Sequence, residues 1–169
     1  MSSLRINISK LSDGDHQYSL LTEPSQIGLD ERFNREVRVA AAVEKANRQI
    51  VLQVEAQSGG LFMCDRCLEE FQKDVTSIYS ILYVQGGDPP SDHEQDHEIQ
   101  YLPADVNIID LGEDVRQYLI LSLPLKLLCR EQCAGLCPVC GANRNKTRCN
   151  CTVEETDPRW ATLKRFLKN

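Results

Sequence analysis

The chain has no long apolar run. Its first twenty residues, MSSLRINISKLSDGDHQYSL, alternate polar and apolar positions without the apolar centre of a secretory leader, so they are read as a strand. No later stretch is apolar over the length a membrane span requires. These absences predict a cytoplasmic protein with no membrane partner. Also missing are a glycine-rich phosphate loop after a strand and a serine in a nucleophile elbow, the signatures of nucleotide and acyl-transfer chemistry. Histidine is scarce: His16, His93 and His97 all lie far in sequence from the cysteine-rich tail. A catalytic zinc commonly uses histidine or carboxylate ligands and keeps an open position, so the expectation is a non-enzymatic protein with no small-molecule substrate. His93 and His97 stand four apart in DHEQDHE, but without apolar periodicity that segment reads as a solvated acidic loop. No internal repeat is present beyond a recurrence of cysteine pairs.

Excess positive charge is lacking too. The formal net charge of −6 argues against a surface uniformly attractive to nucleic acid. The balance is uneven, however. Residues 1–125 carry 10 Lys+Arg against 21 Asp+Glu, a balance of −11, whereas residues 126–169 carry 9 against 4, a balance of +5.

At 169 residues and 19.1 kDa the chain can build one ordinary core plus a small appended module. Val37, Val39, Ala41 and Val43 alternate with Arg38, Ala40, Ala42 and Glu44, and Ile50, Leu52, Val54 and Ala56 repeat the pattern after a polar connection through 45–48. This period of two predicts a β-meander with one buried face. Ser58-Gly59-Gly60 is read as a further turn, and 75–84 as another strand. Residues 85–98 turn to Gly, Pro and acids and are read as a loop. Asp110 followed by Glu113 fits a capping box, with Leu111, Val115, Tyr118 and Leu119 at helical spacing until Pro124. A final helix is expected from Asp157 and Pro158, with Trp160, Leu163, Phe166 and Leu167 on one face. The expected fold is α+β, a mostly antiparallel sheet with one main helix in a domain at 1–128. A small zinc-ribbon-like module at 129–169 completes it.

The eight cysteines fall into four close pairs: Cys64/Cys67, Cys129/Cys133, Cys137/Cys140 and Cys149/Cys151. In a reducing compartment clustered thiols are more often metal ligands than disulfides. Tetrahedral zinc takes four ligands, and a C-x₂-C turn supplies two at once. Four pairs therefore make two sites. In Cys137-Pro-Val-Cys140-Gly141 the glycine suits the positive φ of a knuckle. Proximity favours Cys137, Cys140, Cys149 and Cys151 as a local site, which leaves Cys64, Cys67, Cys129 and Cys133 to staple segments 62 residues apart, counting from 67 to 129. The spacings Cys149-x-Cys151 and Cys129-x₃-Cys133 fit less simply: the first requires a turn at Asn150, the second suits one face of a helical turn. A single site with spare thiols is the alternative. A thiol–disulfide role is a further one, though neither C-x₂-C sits in a strand-to-helix thioredoxin context.

Taken in order, Cys64-Asp-Arg-Cys67-Leu68-Glu69, the run from Leu123 to Cys129, Cys133-Ala-Gly-Leu-Cys137-Pro-Val-Cys140-Gly141-Ala-Asn143, Cys149-x-Cys151 and Asp157-Pro-Arg-Trp-Ala-x-Leu-Lys164 form a recognisable series. From about residue 36 onward the chain resembles the YceD family of bacterial large-subunit ribosomal RNA accumulation proteins. The resemblance implies a non-enzymatic factor in large-subunit biogenesis that supports synthesis, processing or accumulation of 23S ribosomal RNA. Its partners would be that RNA or a large-subunit ribosomal protein. The chain departs from the cysteine-rich relatives at Arg144, where leucine is usual.

RNA contact is expected, if anywhere, at Arg144, Lys146, Arg148, Arg159, Lys164 and Arg165, which cluster around the local cysteine site and the final helix. Such charges are more often a solvated face, and Trp160 more often core than a stacking platform. The rival expectation is a zinc-dependent protein-interaction adaptor or transcriptional regulator whose acidic first part holds a basic partner without touching RNA.

Overall fold

The computed structural model describes residues 3–86 and 99–152. The acidic segment at 87–98 and the expected final helix, with Trp160 and the basic Arg159, Lys164 and Arg165, lie outside the described residues. The chain divides into two compact units: Met1–Phe62 with Phe71–Leu127, and Met63–Glu70 with Leu128–Asn169. The second unit thus takes in a short segment from the middle of the sheet-forming sequence.

Seven strands and one α-helix run through the described residues: β1 (Arg5–Asn7), β2 (Gly14–Thr22), β3 (Val37–Ala46), β4 (Gln49–Met63), β5 (Glu70–Gln85), β6 (Ile99–Leu102), β7 (Ile108–Asp110) and α1 (Gly112–Leu121). The main sheet has the order β2-β3-β4-β5-β6, and β1 pairs with β7 in a second, antiparallel pair. The fold is α+β with a mostly antiparallel sheet, as the alternation predicts. The meander is regular: Tyr18 faces Ala41 across β2 and β3, and Ala41 faces Val54 across β3 and β4. Val37, Val39, Ala41 and Val43 are buried along β3, and Ile50, Leu52, Val54 and Ala56 along β4. Leu111, Val115 and Leu119 of the helix region are fully buried in the same core cluster. Each such aliphatic side chain stabilises the fold by about 1.5–3 kcal/mol relative to exposure. Tyr118 lies flat on Tyr79, with ring centroids 4.0 Å apart.

Four sequence expectations require correction. The N-terminal stretch read as one strand is two strands in different sheets. Asn7 Oδ1 accepts hydrogen bonds from the backbone N–H and hydroxyl of Ser9, ending β1 before the chain reaches β2. Ser58-Gly59-Gly60 is not a turn, since β4 runs straight through it. A Cβ on Gly60 would lie 2.0 Å from the carbonyl oxygen of Arg32, and Phe33 bridges Gly60, so glycine here admits a neighbouring backbone rather than a reversal of direction. The capping box does not close. Asp110 Oδ1 accepts from Gly112 N at 3.0 Å, but the helix begins one residue later than expected, and Glu113 pairs with Arg116 and Gln117 instead of reaching back. Finally, Gln85 belongs to β5 rather than to the loop. Its backbone N–H donates to Arg48 and its side chain to the carbonyls of Ala104 and Val106. Across from it, β6 pairs parallel to β5, an arrangement that needs a crossover connection and leaves no local hairpin signal.

Candidate metal centres

The second unit contains all eight cysteines. Its first knuckle lies between β4 and β5: Cys64 N–H donates to Glu69 O at 2.9 Å and Leu68 N–H to Cys64 O at 2.9 Å. Its second repeats the arrangement, with Cys137 N–H donating to Ala142 O at 2.8 Å and Gly141 N–H to Cys137 O at 2.9 Å. The residue after each C-x₂-C takes a left-handed conformation, Leu68 at φ 58° and Gly141 at φ 73°. The local rule read from Cys137-Pro-Val-Cys140-Gly141 thus operates at both knuckles, once with glycine and once without it.

The structure brings the thiols together as two groups, Cys64, Cys67, Cys129 and Cys133, and Cys137, Cys140, Cys149 and Cys151. In each, the four sulfurs lie within 4.8 Å of one another. This is the grouping that proximity in sequence favours, and it includes both members of the Cys149-Asn150-Cys151 step. A tetrahedron whose sulfurs stand about 2.3 Å from its centre has edges of about 3.8 Å. Cys64 Sγ to Cys133 Sγ and Cys67 Sγ to Cys129 Sγ are both 3.8 Å. The donor set and its spacing therefore fit a tetrahedral ion that accepts four sulfurs. Each group could hold a metal ion, and zinc is compatible with both.

Electrostatics divide the thiols within each group. Burial resists ionisation of Cys64, but backbone N–H groups of Cys129, Cys67 and Arg66 bring its pKa down to about 6. At Cys137 the N–H groups of Cys140 and Val139 and the neighbouring Cys149 thiol do the same, again to about 6. Burial and the adjoining thiols push Cys129 up to about 12, and the Cys140 thiol together with burial does so for Cys151. Cys133 is lowered too, against burial, by the Asn145 amide and the Gly135 N–H, so each group sets at least one lowered thiol beside raised ones, whose protons a bound metal ion would displace.

Supporting residues hold the groups in place. The Arg66 guanidinium donates to the carbonyls of Glu131 and Cys133, and Leu136 N–H donates to Arg66 O at 3.0 Å. Lys146 pairs with Glu69, whose carboxyl is held below its usual range chiefly by that ammonium. Asn145 donates to Cys133 Sγ at 3.3 Å. Among the basic residues singled out by sequence, Arg144, Lys146 and Arg148 all lie on the surface, and Lys146 is drawn into an ion pair with Glu69. Asn145 and Glu69 escaped the sequence reading; an amide set between two ligand pairs was the available signal.

Fold and site define a class: a sheet-and-helix unit joined to a small cysteine-rich unit with two four-thiol groups able to hold metal. The chain belongs to the family described as large ribosomal RNA subunit accumulation protein YceD, which matches residues 61–167, a span that contains every cysteine. An Arabidopsis thaliana protein described as a chloroplastic large ribosomal RNA subunit accumulation protein YCED homolog is 35% identical over 63 residues, 37% of this chain and 20% of that one. A Zea mays protein of the same description is 35% identical over 65 residues, 38% of this chain and 22% of that one. An uncharacterized Mycobacterium bovis protein is 27% identical over 158 residues, 85% of this chain and 70% of that one. The match thus spans only about a fifth of the plant relatives' length. No solved structure matches the chain. No helix among the described residues is long and apolar enough to cross a membrane.

Proposed function

We propose that this chain is a non-enzymatic cytoplasmic factor in large ribosomal subunit biogenesis that supports accumulation of large-subunit ribosomal RNA. In this reading its cysteine-rich unit is folded around two zinc ions. One is held by Cys64, Cys67, Cys129 and Cys133, the other by Cys137, Cys140, Cys149 and Cys151. The observation that carries the reading is the coincidence of the family match with the cysteine-rich unit, where two groups of four thiols, each within 4.8 Å of one another, are compatible with zinc. Zinc, when bound, would replace the thiol protons and supply ~10–16 kcal/mol of apparent folding free energy, in a segment with little core of its own. Arg144 and Arg148, with Lys146 beside them, would offer positive charge to phosphates from that rigid frame, joined by Arg159, Lys164 and Arg165.

The test is to crosslink the protein in cells, purify it under denaturing conditions and sequence the attached RNA. Arg144→Glu with Arg148→Glu, and Cys137→Ser with Cys140→Ser, are run beside it. The reading expects a defined segment of large-subunit RNA, lost in both variants. Recovery of basic ribosomal proteins with no RNA would overturn it in favour of an adaptor, a reading supported by the −11 balance of residues 1–125.

A further inference from the structure

We infer that Asn145 couples the two cysteine groups, so that metal in the local group slows loss of metal from the long-range one. The inference rests on the zinc reading above and adds an order of events to it. Residues 141–148 form the loop between the two halves of the local group, Cys140 before it and Cys149 after it. Metal held by that group would fix both ends of the loop.

The same loop grips the other group. Asn145 Nδ2 donates to Cys133 Sγ at 3.3 Å and to Asn143 Oδ1 at 2.9 Å. Asn145 Oδ1 accepts from Ala134 N at 2.9 Å and from the Arg130 guanidinium at 2.6 Å. The amide therefore spends both donors and both acceptor positions, and each of Arg130, Cys133 and Ala134 lies at or beside a thiol of the long-range group. One residue on, Lys146 pairs with Glu69, two residues past Cys67. Both segments of the long-range group are thus held from a loop anchored in the local one.

Four thiolates around a divalent cation leave a charge of −2, and an N–H donor aimed at one sulfur stabilises that charge. Outer donors of this kind are worth about 10–100-fold in metal affinity. Because coupling between binding sites is reciprocal, metal in the long-range group strengthens the local one by the same factor. The coupling is graded rather than all-or-none, since Arg144 N–H donates to Gly135 O at 2.9 Å and Leu136 bridges Asn143, contacts that hold the loop without a thiol of the local group. Asn145 is accordingly a positioning residue, acting on metal through Cys133.

The experiment uses the full chain loaded with Zn²⁺ and follows release to excess 4-(2-pyridylazo)resorcinol by absorbance. Cys67→Ser and Cys140→Ser assign each kinetic phase to a group. Asn145→Ala is expected to speed release from the long-range group about tenfold or more while two zinc ions still bind at saturation, with Asn145→Asp faster still. In the Co²⁺-loaded protein, Asn145→Ala should move the thiolate-to-metal charge-transfer band of that group, which a merely looser loop would leave in place. Cys140→Ser should speed release from the long-range group, and if that variant does not fold, the two Asn145 variants carry the test. Two zinc ions in the unsubstituted protein with unchanged release and spectra in the Asn145 variants would overturn the coupling alone. An unsubstituted protein that takes up no zinc would overturn the metal reading, and the coupling with it.

Discussion

Cys64 Sγ and Cys133 Sγ lie 3.8 Å apart although 69 residues separate them in sequence. In sequence, β5, β6, β7 and α1 stand between the two halves of this small unit, so the unit exists only once its distant segments have met. Cys64 and Cys133 should therefore act as one site in a zinc count. Cys64→Ser and Cys133→Ser are each expected to remove one of two zinc ions, and the double variant no more than either alone. Cys64→Ser with Cys137→Ser should remove both. Metal stoichiometry by elemental analysis of the purified variants decides it: two ions lost on substituting Cys64 with Cys133 would mean that the thiols are partitioned differently.

How far the sequence could be read depended on whether the relevant signal was local. Alternation along β3 and β4 announces which side chains are buried because a strand's two faces follow from period two alone. The grouping of Cys137, Cys140, Cys149 and Cys151 was legible from proximity, and the other four followed as the remainder. Gly60 was misread because glycine serves both turns and close backbone approach, and only the position of Arg32, 28 residues earlier, tells them apart. Asn145 showed in sequence only as an amide between two ligand pairs, because its partners, Arg130 and Cys133, are fixed by tertiary closure and not by spacing.

Gly60 makes a direct test of that distinction. In Gly60→Ala the added methyl would fall 2.0 Å from Arg32 O, a backbone atom with no flexible side chain to move aside. The strand must shift away from Phe33, whose ring packs edge-on against Phe62 at 5.5 Å between centroids. A loss of about 3 kcal/mol is expected in chemical denaturation, the upper end of the cost of overpacking. A loss near the few tenths typical of an exposed turn would restore the turn assignment.

Leu68 tests the knuckle rule from the opposite side. A left-handed conformation costs an L-residue about 1–2 kcal/mol, and glycine, which avoids that, gives back about 0.5–1 kcal/mol in unfolded-chain entropy. At φ 58° and 59% exposed, Leu68 has the strain and little burial to offset it. Leu68→Gly should therefore stabilise the zinc-loaded protein by about 0.5 kcal/mol, while Leu68→Val, branched at Cβ, should destabilise it. Thermal melts in the presence of zinc distinguish the two. A destabilising glycine would mean that the leucine side chain's own contacts outweigh the strain.

Asp114 sets a pH dependence in the sheet-and-helix unit. Burial, and then the neighbouring Glu113 charge, raise its pKa above 3.8, although the Tyr83 hydroxyl donates to it and lowers it in part. The folded protein thus holds this proton more tightly than the unfolded chain. Its contribution to stability is complete below pH 3.8 and is lost as pH rises through the folded value, so at neutral pH the ionised carboxylate works against the fold. Asp114→Asn keeps an acceptor for Tyr83 and removes the charge. It should leave stability near pH 3 almost unchanged and raise it at pH 7, by less than about 1 kcal/mol because the site is partly open to solvent. Urea midpoints of both proteins from pH 3 to pH 7 should therefore diverge upward with pH. Curves that diverge as pH falls would show instead that Asp114 stabilises the fold as a carboxylate, through the positive end of α1.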